Sequence, residues 1–74
     1  MFDYEIVEHI AVLSTSTRGN TLEVNRISFS GKPPKWDIRR WMKEEDGTRR
    51  MLKGCTLSDA EVLELKKALE GAGK

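Results

Sequence analysis

Three clusters of turn-forming residues cut the first three quarters of this 74-residue chain into short stretches of alternating hydrophobicity, and this punctuation limits the fold more than any other feature. Ser14-Thr15-Ser16-Thr17-Arg18-Gly19-Asn20 is polar and ends in turn formers. Ser30-Gly31-Lys32-Pro33-Pro34 joins a glycine that tolerates positive φ to two prolines that cannot donate to a ladder. Lys43-Glu44-Glu45-Asp46-Gly47 is a charged turn. The stretches between them predict strands over about residues 4–13, 21–30, 35–42 and 48–53.

The first strand puts Tyr4, Ile6, Ile10 and Val12 on one parity, broken by Glu8, and is expected to lay that face in the core. In the second, Leu22 and Val24 share one parity while Ile27 and Phe29 share the other. A period-2 pattern changes phase where one residue is inserted, so a β-bulge near Asn25-Arg26 is expected, re-aiming Arg26. In the third, Trp36, Ile38, Arg40 and Met42 lie on one face and Lys35, Asp37, Arg39 and Trp41 on the other.

After the last strand, Ser58-Asp59-Ala60-Glu61 has the capping-box pattern, and Val62, Leu65 and Leu69 follow at helical spacing with Leu63 and Ala68. Gly71 is expected to stop this helix. Glu64 with Lys67, and Lys66 with Glu70, are expected on its wet side. Four strands and then a helix make an α+β domain, an antiparallel sheet with one face covered and the other open.

A single domain spanning residues 1–74 buries only roughly 60% of the surface its unfolded chain exposes and needs reinforcement. One cysteine cannot form an intrachain disulfide, and Cys55 with His9 cannot make a four-ligand zinc site, so a homodimer is expected. No apolar run reaches the roughly 20 residues that span a bilayer, and Met1-Phe2-Asp3 lacks the order of a signal peptide. A soluble, cytoplasmic protein without metal or cofactor is expected. Cys55, before Thr56-Leu57 at the entry to the helix, reads as a buried structural thiol. His9 stands in no catalytic constellation and reads as a surface or satisfied histidine, and nothing supports an enzyme.

Charge is unevenly placed. From Arg18 to Cys55 there are ten Lys/Arg against five Asp/Glu, while both flanking segments are net acidic. Phe29, Trp36 and Trp41 lie inside the basic stretch. Cations hold phosphates and rings stack on bases, so a single-stranded nucleic acid is the first candidate partner. Trp41, sharing a face with Lys35 and Arg39, is the best stacking candidate, and Trp36, on the parity of Ile38, reads as packing. Phe29 is balanced between the two by periodicity. Asp37 reads as an ion pair that orients Arg39.

Several runs in this order resemble the positive-cofactor-four family of transcriptional coactivators, especially its bacterial YdbC-like branch. They are Asn25-Arg26-Ile27-Ser28-Phe29 through Gly31-Lys32, then Lys35-Trp36-Asp37-Ile38-Arg39-Arg40-Trp41, and Lys53-Gly54-Cys55-Thr56-Leu57-Ser58 opening the helix. The resemblance implies a curved four-stranded antiparallel sheet followed by one C-terminal helix, paired as a homodimer. It also implies that single-stranded DNA, or melted duplex, runs over the sheets. By position it implies that Phe29, Lys32, Arg39 and Lys53 supply ring and cation contacts, that Trp41 stands where relatives carry an aromatic, and that Arg26 matches the Asn-Arg of the bacterial branch. Eukaryotic members carry a Ser- and Lys-rich tail before the domain; none precedes Met1, so regulation through a tail is not expected here. Pro33-Pro34 enlarges the connection after Lys32.

The expected site is therefore Arg26, Phe29, Lys32, Lys35, Arg39, Trp41 and Lys53, binding single-stranded DNA largely without regard to sequence, in transcription or in replication and repair. RNA is a close rival, because no residue here can be assigned to reading a 2′-hydroxyl. A protein-interaction module using a sheet edge or the apolar helix face is the rival from another class.

Overall fold

The computed structural model describes residues 3–72, leaving Met1, Phe2, Gly73 and Lys74 outside the described residues. Strands β1 (Tyr4–Thr15), β2 (Thr21–Phe29), β3 (Lys35–Lys43) and β4 (Arg49–Leu57) are followed by helix α1 (Asp59–Ala72). The strands pair in sequence order, each antiparallel to the next, in one four-stranded sheet. This is the expected α+β architecture, with β4 extending four residues beyond the stretch assigned to it.

The turns follow from their residues. Ser30 and Gly31 both have positive φ, 53° and 75°, and the Lys32 N–H donates to Phe29 O at 3.0 Å. Positive φ at both central positions makes a type I′ turn, which opens the connection of residues 30–34 between β2 and β3. Between β3 and β4, Asp46 Oδ1 accepts from the Thr48 N–H at 3.0 Å and the Thr48 hydroxyl at 2.6 Å. Those two bonds hold the Asp46 carboxyl below its ordinary range.

The capping box forms as expected. Ser58 N–H donates to Glu61 Oε1 at 2.8 Å, and Glu61 N–H donates to Ser58 Oγ at 3.2 Å. The reciprocal bond to the backbone lowers the Glu61 pKa. Glu64 and Lys67 meet at 3.5 Å. Gly71 does not stop the helix, which continues to Ala72.

Two expectations about the sheet are corrected. The bulge near Asn25-Arg26 is absent, since β2 pairs continuously with β3 from Thr21↔Trp41 to Ile27↔Lys35. The bulges lie across the ladder in β1, where Val7, Ile10 and Leu13 are skipped in the pairing with β2. The change of hydrophobic phase in β2 reflects a sheet apolar on both faces: Ile27 and Phe29 look to one side, Leu22 and Val24 to the other. Nor does β1 lay a face in the core, because Ile6, Ile10 and Val12 remain 37–47% exposed. Among the described residues α1 contacts β3 and β4 and not β1, so most apolar side chains of β1 stay uncovered.

The open face of the sheet is the better buried one. Ile27 and Trp41 are its fully buried apolar side chains, accompanied by buried Glu23, Asn25 and Asp37. Strong curling explains this. Tyr4 pairs with Phe29 and Trp41 with Thr21, so a flat sheet at about 3.3 Å per residue would hold the two rings about 26 Å apart along the strands. Their centroids lie 5.8 Å apart. The sheet therefore curls until the start of β1 meets the far end of β3, and the three bulges of β1 contribute local bends.

Behind the sheet, α1 buries none of its residues. Val62, Leu65 and Leu69 face Leu13, Val24, Trp36 and Ile38 across an apolar groove. Cys55, in register with Ile38, is exposed where burial was expected, because α1 does not close over that face.

Candidate nucleic-acid interface

In the hollow of the sheet, guanidinium groups lie on aromatic rings. Arg39 sits over Phe29 with its Cζ 6.0 Å from the ring centroid, and Arg49 sits over Trp41 at 4.9 Å. On the opposite face Arg26 lies over Trp36 at 5.3 Å. Each of these arginines also meets a carboxylate: Arg39 with Asp37, Arg49 with Glu23 and Arg26 with Asp59. Cation–π attraction and ion pairing thus act on the same group, and the carboxylate decides where the cation rests.

The backbone puts these groups in place. Glu23, Asn25, Ile27 and Phe29 alternate along β2, and opposite them Lys35, Asp37, Arg39 and Trp41 alternate along β3. Between Arg39 and Trp41 the pairing with β4 shifts by one residue, leaving Leu52 and Lys53 outside the ladder. The freed Leu52 carbonyl accepts from Arg39 Nη1 at 3.1 Å. Gly54, opposite Arg39, has no room for a side chain, since a Cβ there would collide with the Arg39 side chain and stand 2.6 Å from Ile38 O.

Glu23 is the electrostatic centre of this face. Burial pushes its carboxyl up, but hydrogen bonds from Arg49, Thr21 and Asn25 outweigh that and hold it below the ordinary carboxylate range. The bonds from Thr21 Oγ1 and Arg49 Nη2 are each 2.5 Å, and that from Asn25 Nδ2 is 3.3 Å. His9, an exposed histidine as expected, brings Nδ1 to 2.6 Å from Asn25 Oδ1. The Asp37 carboxylate raises the Arg39 pKa still further, so that guanidinium remains a permanent cation.

The expected site residues are not all equivalent. Phe29, Arg39 and Trp41 come together in the hollow. Trp41 is not an open platform, however, being 1% exposed beneath Arg49 and against Tyr4. Curling brought a strand end and a long side chain over a ring that alternation had put on an open face. Arg39 is likewise mostly enclosed, its side chain 14% exposed. Arg26 belongs to the other face, where Nη1 reaches Asp59 Oδ1 at 3.4 Å and Trp36 Nε1 donates to the same oxygen at 2.8 Å. Lys32, Lys35 and Lys53 are exposed.

Tyr4, Glu23 and Arg49 were not among the expected site residues. The available signals were the basic doublet Arg49-Arg50 and the run of polar residues, Glu23 and Asn25, on the parity of buried Ile27. Tyr4, in an acidic segment, gave none. Among the described residues no cluster of three His, Cys, Asp or Glu could hold a metal ion, and no helix is long and apolar enough to cross a membrane.

The molecule is thus a ββββα domain whose curled sheet carries arginines layered on aromatic rings. Residues 16–68 match the family described as Transcriptional Coactivator p15 (PC4), and the chain belongs to that family. The matched segment holds β2, β3, β4 and most of α1. A protein of Treponema pallidum (strain Nichols), itself uncharacterized, is 41% identical over 68 residues, covering 92% of this chain and 76% of the relative.

Proposed function

We propose that this protein binds single-stranded DNA as a homodimer, largely without regard to base sequence, and serves transcription or replication and repair. The observation that carries the reading is the hollow itself, where the rings of Tyr4, Phe29 and Trp41 lie together with the Arg39 and Arg49 guanidinium groups, 6.0 and 4.9 Å from the Phe29 and Trp41 centroids. Membership of the coactivator family supports it. Lys32, Lys35 and Lys53 are exposed cations that can track a phosphate backbone. Unpaired bases can enter a hollow of rings, whereas stacked duplex offers no free base faces.

The homodimer is supported by what a single chain leaves uncovered. Leu63, Leu65 and Leu69 of α1 are 38–62% exposed, and so are Val7, Ile10 and Leu13 of β1 at 39–57%. Apolar residues clustered this way on a small domain favour a protein surface over water.

Fluorescence anisotropy with a labelled single-stranded oligonucleotide, its duplex and its RNA counterpart at two salt concentrations tests the reading. Tighter binding of the DNA single strand than of duplex, weakening steeply with salt, is expected. Equal affinity for duplex and single strand would refute it, and preference for the RNA strand would assign the hollow to RNA.

A further inference from the structure

We propose that Arg49, held across the Trp41 indole by Glu23, is a latch that a nucleic-acid phosphate releases, so that capture of the phosphate and exposure of the ring are one event. The inference rests on the nucleic-acid reading above and adds to it a contact residue, Arg49, and a competing internal anion, Glu23.

The two halves of the latch differ in mobility. Glu23 has a side chain 3% exposed and keeps donors from Thr21 and Asn25 whether or not Arg49 is present. Arg49 is the first residue of β4, following the charged turn, and its side chain is 42% exposed. The guanidinium can therefore swing outward about the Cα–Cβ bond while the carboxylate stays in place. A phosphate offers the same fork of oxygens as a carboxylate, so leaving Glu23 for a phosphate exchanges one charge-assisted pair for another.

The closed state also leaves a polar group unsatisfied. Trp41 Nε1 is buried without a hydrogen-bond partner among the described residues. Buried donors ordinarily find acceptors, and one without a partner favours an arrangement that supplies one. Once Arg49 lifts, the indole can meet a base with its face and an oxygen with its N–H. The other two arginine pairs are built differently. Arg39 is fixed by Asp37 and by Leu52 O, and Asp59, which holds Arg26, is 81% exposed and covers no buried ring.

The test uses the full chain and a thymidine oligonucleotide, read by the two indole N–H resonances in proton–nitrogen NMR, with Trp36→Phe assigning them. In the free protein the Trp41 N–H is expected to exchange slowly with solvent. On titration the Trp41 indole and Arg49 Nε–H signals shift together. Arg49→Ala is expected to expose Trp41 to acrylamide quenching without ligand, to weaken binding several-fold, and to lower the slope of log affinity against log salt by about 0.7. Arg49→Lys retains that slope but not the shielding of the ring, and Glu23→Gln binds more tightly at low salt. Binding with both resonances unmoved, or an Arg49→Ala variant with unchanged affinity and slope, overturns the latch and leaves the proposed function standing. Absence of binding by the unaltered protein at low salt removes the function and the latch with it.

Discussion

Three hydrogen bonds tie Arg39 to Asp37: Nε donates to Oδ1 at 3.1 Å and Oδ2 at 2.8 Å, and Nη2 donates to Oδ1 at 2.7 Å. The carboxylate is fully buried, and the two residues lie two positions apart on one strand, pointing to the same face. Removing one partner of such a pair leaves the other charge enclosed without compensation. Asp37→Ala is expected to cost about 3 kcal/mol, and Asp37→Asn less, because the amide oxygen still accepts a bond. Urea unfolding followed by circular dichroism checks this, and loss of under about 0.5 kcal/mol for Asp37→Ala would show that the pair does not hold the hollow together.

Gly54 lets β4 approach Arg39 more closely than a side chain would allow. Gly54→Ala forces the strands apart or displaces Arg39 and is expected to destabilise by about 1–3 kcal/mol, as overpacking does. Gly71 in α1 has nothing within 4 Å of an added Cβ, so Gly71→Ala is expected to be neutral or slightly stabilising. Parallel thermal melts of the two variants make the comparison.

Acid sensitivity follows from Glu23. Its folded pKa lies below the ordinary value of 4.5, so its contribution is complete above that pH and is lost as pH falls through the lowered folded value. Asp46 and Glu61 shift in the same direction and add to the same acid limb. Stability measured from pH 7 down to pH 3 is expected to hold to about 4.5 and then decline, with a shallower decline in Glu23→Gln. Identical acid limbs for the two proteins would remove Glu23 from the account.

The exposed lysines carry an electrostatic prediction. Lys32→Gln, Lys35→Gln and Lys53→Gln are each expected to lower the salt slope of single-strand binding by about 0.7, equally for every base sequence. Lys67, paired with Glu64 on α1, serves as the control, and Lys67→Gln is expected to leave the slope unchanged. Anisotropy titrations at several salt concentrations read both.

Leu69 is 62% exposed in one chain, so a charge there is tolerated by the isolated fold. In a dimer that covers α1 the same charge is costly. Sedimentation equilibrium is expected to give twice the 8.4 kDa chain mass for the unaltered protein and a single chain mass for Leu69→Glu. A monomeric unaltered protein at micromolar concentration contradicts the dimer.

Much of the fold was legible from local chemistry. The Ser58–Glu61 reciprocal bonds, the Ser30-Gly31 turn and the alternation of β3 are settled by residues within a few positions of one another. The Asp37–Arg39 pair belongs with them, since residues two apart on a strand share a face. A bulge was expected in β2 and the bulges lie in β1, because a change of phase in β2 reads the same whether a residue is inserted or both faces are apolar. Parity and family resemblance put Phe29, Arg39 and Trp41 together, and the structure has them on one face, but with the indole covered where an open ring was expected. Arg49 and Tyr4 reach the hollow from strands whose register with β3 and β2 no local pattern announces.

The sequence by itself determined the order of elements, the face on which each β3 residue stands and the family to which the chain belongs, because alternation, capping and motif order are properties of neighbouring residues. Only the tertiary structure decided that the sheet curls until Tyr4 meets Trp41, that Arg49 covers the indole, and that Glu23 holds it there. Curvature accumulates from small twists and bulges over four strands, so contacts between distant ends of non-adjacent strands exist only once the whole sheet has formed.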